Sequence, residues 1–256
     1  VKITSLLTLG LLTAGAVAPV AMAADTMSAD QQKQIETVVH DYLVNHPEVL
    51  IEASQALQKQ QQQNVQQQAK AAINENANQL FSGSLAVAGN PKGNVTLVEF
   101  FDYQCIHCKK MATVINTLVK KDNNLRVIYK EFPIFGEGSE FASQAALAAA
   151  MQGKYQAFHE ALLKQDKRLD NKLVLSIAKA QGLNMVKLQK DMKSSTVTEV
   201  LETNRKLAEK MHLMGTPAFV VASTPGGQFS DKQEPAFIPG AASMDVLQDL
   251  IKKMNG

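Results

Sequence analysis

The chain has two cysteines, and they stand three positions apart in Cys105-Ile106-His107-Cys108. On a helix that spacing puts both sulfurs within one turn. Two thiols so placed can open and close a disulfide, one sulfur exchanging with an outside partner and the other resolving. Other uses of a cysteine pair need ligands that are missing. A structural zinc site takes four, and there is no second C-x-x-C. Attachment of a c-type haem needs a histidine directly after Cys108, where Lys109 stands. The expected chemistry therefore involves no metal and no cofactor.

The composition, 45% hydrophobic and 20% charged over 256 residues, is that of a globular chain able to bury a core without staples. A net charge of +2 and scattered basic residues argue against nucleic acid as a partner. Near the N-terminus Lys2 precedes an apolar run over residues 6–20, and Ala21-Met22-Ala23 has the A-x-A form of a cleavage site. Gly10, Gly15 and Pro19 interrupt the run, which is shorter than the ~20 apolar residues of a spanning helix. The pattern predicts a signal peptide over residues 1–23, cleaved after Ala23, and export of the remainder. In an oxidising compartment small folds carry many cysteines; one pair in a chain this large reads as chemistry.

Several elements must position that pair. Val95-Thr96-Leu97-Val98-Glu99-Phe100-Phe101 reads as a buried central strand with an acid, Glu99, inside it. A helix follows the motif, with Met111, Val114, Ile115, Leu118 and Val119 on one face. Residues 125–132 form a second strand. The dithiol thus sits at the first junction of a strand–helix–strand unit. Residues 139–214 read as a helical block, after which strands return at 218–222 and 236–238 and a last helix at 243–254. Ahead of all this lies a region of different character. Ser28 and Gln31 have capping-box spacing, and Ile35, Val38, Val39, Tyr42 and Leu43 share one helical face. Pro47 suits the first turn of a second helix, which carries Leu50, Leu57, Val65, Ala69, Ile73 and Leu80 among many glutamines. Such a helix cannot bury its stripe alone. The expectation is a dimerisation region over residues 24–82, pairing two copies through 28–80.

VEFFDYQCIHCKKM, the helical block, GTPAFVV and the closing strand and helix together resemble the DsbA-type thiol:disulfide oxidoreductases of the bacterial periplasm. The resemblance covers residues 83–256. KEFPIF, AALAAAMQGKYQAFHEALL and the N-terminal helices are similar to a subset of that family that adds a helical extension and dimerises. It implies a thioredoxin fold, α/β, with an inserted helical domain at about 139–214. It implies an enzyme acting on unfolded or misfolded exported proteins in the periplasm, recycled by a membrane redox partner. By position Cys105 is the exposed nucleophile, Cys108 the resolving thiol and His107 the dipeptide histidine. Glu99 matches the family's buried acid, and Pro217, preceded by Thr216, matches the proline facing the dithiol. Ile106 stands where the best-known members have proline. Thr216 stands where many oxidases have valine, and looks more like the dimeric isomerases.

These positions make chemical sense. A thiol at a helix N-terminus meets unpaired N–H groups and a favourable dipole, which lower its pKa. His107 can add to that by donating. A carboxyl at Glu99, raised by desolvation, could exchange a proton with Cys108. The backbone of Thr216 could pair with an extended substrate by strand addition. His40, His46, His159 and His212 lack such context and read as surface or satisfied helix residues. The sequence thus predicts an exported disulfide oxidase and isomerase. The rival is an envelope binding protein that assembles through its arm and keeps a static disulfide.

Overall fold

The computed structural model describes residues 27–81 and 85–255; the predicted signal peptide at 1–23 lies outside them. The chain divides into two compact units, one ending at Gln58 and one beginning at Lys59. The first contains α1 (Ala29–Asn45) and the start of α2 (Glu48–Glu75). The capping box forms as its spacing predicts, with Ser28 and Gln31 bonded to each other's backbone N–H groups. No residue of α1 is buried. Its stripe of Ile35, Val38, Val39 and Tyr42 is between 49 and 67% exposed.

The second unit contains the rest of α2, α3 (Ala77–Phe81), and then a sheet with its helices. These are β1 (Val87–Gly89), β2 (Val95–Phe101), α4 (Ile106–Lys121), β3 (Leu125–Glu131), α5 (Glu137–Ala150), α6 (Tyr155–Leu163), α7 (Asn171–Ala180), α8 (Met185–Asp191), α9 (Ser195–Lys210), β4 (Ala218–Ser223), β5 (Ala236–Ile238) and α10 (Met244–Asn255). The strand order is β1-β3-β2-β4-β5. β2 runs parallel to β3 and antiparallel to β4; β1 and β5 pair antiparallel at the edges. The fold is α/β, a thioredoxin-like sheet with a helical insertion spanning α5 to α9. Among the described residues no helix is long and apolar enough to cross a membrane.

Every residue of β2 and β3 is buried, because both faces of the sheet are covered. Side chains alternate across a strand. Val95, Leu97 and Phe101 of β2, with Leu125, Val127 and Tyr129 of β3, join the core under α4, the insertion and α10. Val98, Phe100 and Ile128 face the other way, onto Ala69, Ala72, Ile73, Leu80 and Phe81.

That second layer corrects one expectation. The stripe of α2 does not all await a second copy. Ala69, Ile73 and Leu80 are buried on the chain's own sheet. Polar bonds fasten the same segment. Arg126 donates to the Phe81 carbonyl at 2.8 Å and Lys130 to that of Gln79 at 2.7 Å, closing the C-terminal end of α3. Lys210 donates to Asn76 Oδ1 at 2.8 Å. β3 therefore points Arg126 and Lys130 to one side of the sheet. Tyr129 points to the other, toward the dithiol.

Candidate active site

Cys105 is the N-cap of α4, with extended backbone angles, and Lys109 N–H donates to its carbonyl at 3.1 Å to close the first turn. The next three residues begin the helix, so the N–H groups of His107 and Cys108 occupy the N2 and N3 positions that an N-cap side chain normally satisfies. In the thiol form Cys105 does not use them. Its S–H is turned toward the Thr216 carbonyl oxygen, 3.2 Å away. The Thr216–Pro217 bond is cis. Thr216 Oγ1 is enclosed and has no hydrogen-bond partner among the described residues.

Both cysteines are buried, so the exposure expected of Cys105 is not met: in the closed thiol form it is 4% exposed and Cys108 1%. The two sulfurs have opposite proton affinities. Cys105 is pulled down to about 5, first by the Cys108 thiol beside it, then, against the opposing effect of burial, by the Thr216 hydroxyl, which can donate to the thiolate, and by the N–H groups of Cys108 and His107. Cys108 is held far above the ordinary thiol range, first by burial, then by Cys105 and the Glu99 carboxyl. What His107 adds to the thiolate is its backbone N–H; its imidazole is exposed to solvent. Glu99 is buried on the same sheet face as the α4 core, so it is no edge residue. Its carboxyl is raised well above the usual range, first by desolvation, then by Cys105 and Glu131. The structure thus gathers Cys105, Cys108, Glu99, Thr216 and Pro217 around one helix end.

Residues that the motif did not flag hold that helix end in place. Asp102 is fully buried and accepts four hydrogen bonds. Gln104 N–H and Ser139 Oγ donate to Oδ1, each at 2.7 Å; Ile134 N–H and Phe135 N–H donate to Oδ2 at 2.7 and 3.1 Å. Gln104 continues the clamp. Its Nε2 donates to the Phe135 carbonyl and Ser139 Oγ, and its Oε1 accepts from Leu169 N–H. The segment before Cys105 is thereby tied to the start of α5 and to the loop before α7. Gly138 is required there, since any Cβ would collide with the Leu169 carbonyl. Apolar side chains open to solvent stand on the segments that flank the cysteine: Ile106 next to it at 63% exposure, Phe135 at 48%, whose carbonyl Gln104 reaches, and Met214 at 97%, two residues before Thr216. His159, in contrast, is enclosed among Phe101, Tyr103, Tyr129 and Tyr155, a satisfied core histidine. Among the described residues no group of three or more His, Cys, Asp or Glu side chains is arranged to hold a metal ion.

A buried dithiol junction on a sheet of this order defines the thioredoxin class, and the comparisons narrow it. Residues 96–252 match the DSBA-like thioredoxin domain, and the chain belongs to that family. Residues 31–64 match the N-terminal domain of copper resistance protein ScsC. Salmonella enterica Typhimurium BcfH superposes with a TM-score of 0.73 at 34% identity, covering 89% of this chain and 97% of that one. A thioredoxin-like oxidoreductase from Silicibacter pomeroyi is 42% identical over 69% of this chain and 95% of its own, with a TM-score of 0.62. The thiol:disulfide interchange protein DsbA of Bordetella parapertussis is 28% identical over 62% of this chain and 76% of its own length. The match spans 62% of the length of a Rickettsia typhi putative protein-disulfide oxidoreductase and 21% of a Na(+)/H(+) antiporter from Salinispora tropica.

Ionisation of Cys105 is linked to folding. Its pKa falls from the ordinary value of about 8.5 to about 5 in the reduced fold. An acid depressed in this way stabilises the fold above its unfolded pKa, and the contribution is lost as pH falls through the folded one. Cys108 is protonated in both states below about pH 8, and the oxidised protein has no thiol to ionise. The urea midpoint of the reduced protein is therefore expected to rise relative to that of the oxidised protein between about pH 5 and pH 8. Cys105→Ala is expected to abolish the rise.

Proposed function

We propose that this chain is an exported thiol:disulfide oxidoreductase, working in the periplasm as a dimeric, bifunctional oxidase and isomerase. The observation that carries the reading is the split between the sulfurs, one thiol pulled down to about 5 and its neighbour held protonated. In the oxidised form a substrate thiolate attacks Cys105 Sγ. The Cys105–Cys108 bond breaks, and Cys108 leaves and takes up a proton. Glu99, raised by burial beside it, is suited to deliver that proton. A second substrate thiolate then attacks the substrate sulfur of the mixed disulfide. Cys105 departs as a thiolate, which its low pKa favours. The substrate gains a disulfide and the protein is left as the dithiol. In that reduced form Cys105 can instead attack a wrong disulfide and reshuffle it.

The substrates we infer are unfolded or misfolded exported proteins. Ile106, Phe135 and Met214 offer adaptable apolar surface on the segments that flank the cysteine, and the Thr216 backbone suits an extended chain. A membrane redox partner would reset the dithiol. The exposed stripe of α1, together with the first turns of α2 that carry Leu50, Ile51 and Leu57, is the surface we assign to the homodimer. Thr216 and the arm support the isomerase half of the reading.

Cys108→Ser removes the resolving thiol, so mixed disulfides through Cys105 are expected to accumulate on exported proteins and to run as reducible adducts on a gel. If no adduct forms, the enzymatic reading fails. The arm has its own test, reactivation of scrambled, fully oxidised ribonuclease. Removal of residues 27–58 leaves the unit from Lys59 with both of its cores. That truncation is expected to lose most isomerase activity while keeping dithiol oxidation. Unchanged reactivation would detach the arm from isomerisation.

A further inference from the structure

Beyond the dithiol, a dense cluster of buried ionisable groups gathers on Glu131, the last residue of β3. Its Oε1 accepts the Tyr103 hydroxyl at 2.9 Å and the Tyr155 hydroxyl at 2.8 Å, and its Oε2 accepts Ser143 Oγ at 2.7 Å. His159 Nδ1 lies 3.1 Å from the Tyr103 oxygen. Asn204 Nδ2 donates to the Glu131 carbonyl at 3.1 Å. One carboxyl thus joins β3, the loop before α4, α5 and α6, while its backbone holds α9. The charged groups that face it are Asp102 and Glu99.

Burial raises Glu131 to about 8, against the pull of its three hydroxyl donors. His159 is pushed down to about 3 by burial and stays neutral. Where Cys105 titrates, Glu131 is therefore protonated and carries no full charge; Oε1 can still accept from both tyrosines while the carboxyl O–H on Oε2 donates to a turned Ser143 hydroxyl. A buried acid of this kind is weak evidence for stability, because apolar residues of similar volume often fold as well. Its value lies in fixing positions. Tyr103 stands two residues before Cys105. Asp102 and Gln104 on either side of it are clamped to the start of α5 through Ser139, while the Tyr103 hydroxyl reaches this cluster, which meets α5 one turn later at Ser143.

We propose that Glu131 is a positioning residue for thiol–disulfide exchange: by tying Tyr103 to the helical insertion it sets where the Cys105 sulfur meets the N–H groups of His107 and Cys108. Hydrogen bonds weaken steeply as they bend, so a small shift of this segment removes part of the stabilisation of the thiolate. The proposal rests on the oxidoreductase reading for its purpose, although its readout needs no substrate.

The test is titration of the reduced full chain, following the ultraviolet absorbance of the thiolate against pH. Tyr103→Phe keeps the ring and loses only the hydroxyl; Glu131→Leu removes the acceptor. Each is expected to raise the Cys105 midpoint by about one unit, a tenfold weaker acid. Glu131→Gln is expected to bring it back to within a few tenths of the unsubstituted protein. The amide keeps the Oε1 acceptor for both tyrosines, and Ser143 can turn to accept from its N–H. A folded Tyr103→Phe protein with an unchanged midpoint overturns the proposal, as does a cluster whose variants shift the unfolding midpoint alone. Tyr103→Phe decides the matter even if Glu131→Leu does not fold. A shifted midpoint in a protein that traps no mixed disulfide would count against the oxidoreductase reading and leave the positioning role standing.

Discussion

Cys105 and Cys108 share one turn of α4, and the chemistry requires that one be readily ionised while the other is not. The helix end supplies the first condition. Cys105 is the N-cap, so the N–H groups of His107 and Cys108 are available to its anion and to nothing else nearby. Burial supplies the second. Cys108 lies inside the turn, over the sheet, beside a carboxyl that is itself desolvated. The two conditions conflict in space, since one sulfur must be reached by a partner and the other kept from water. Starting the helix at Cys105, past the C-terminal edge of a fully buried strand, puts it at the outer end of the turn with Cys108 further in, though Cys105 is only 4% exposed.

Much of the remaining structure holds that helix start still. β2 is covered on both faces, by α4, the insertion and α10 on one side and by the foot of α2 with α3 on the other. The segment between β2 and α4 is then fixed from two directions. Asp102 and Gln104 bind it to the residues around Ile134, Ser139 and Leu169, and Tyr103 binds it to Glu131. The helical insertion touches both clamps. It acts as a brace for the thiolate as well as a wall beside it.

The elements that position the motif were legible because their patterns are simple. β2 is apolar apart from Thr96 and Glu99, so its bounds are those expected, and Glu99 stands out as the acid inside it. α4 and β3 follow from ordinary helical and strand patterns. Glu131 was not legible. It comes after Lys130 at the end of a strand, where charges usually mark the exit to solvent; strand alternation puts the two on opposite faces, and only tertiary packing covers both faces. Asp102 reads as a turn residue, and its four donors come from segments more than thirty residues away as well as from its own loop. The foot of α2 is hidden from the sequence for a similar reason. Ala69, Ile73 and Leu80 continue the spacing of Leu50 and Leu57, and periodicity alone cannot distinguish a face that meets the chain's own sheet from one left open.

Ile106 and Thr216 bear on the direction of exchange. Ile106 is exposed between the sulfurs, while Thr216 holds its carbonyl against Cys105 and its hydroxyl in an enclosed, unpartnered position. The depressed Cys105 pKa tilts the balance between dithiol and disulfide toward the reduced form. The most direct measurement is the fraction of reduced protein at equilibrium in a graded glutathione redox buffer. A disulfide that is readily reduced there is expected, with a midpoint inside the working range of the buffer. A Cys105–Cys108 bond that stays oxidised in a large excess of reduced glutathione would contradict that expectation.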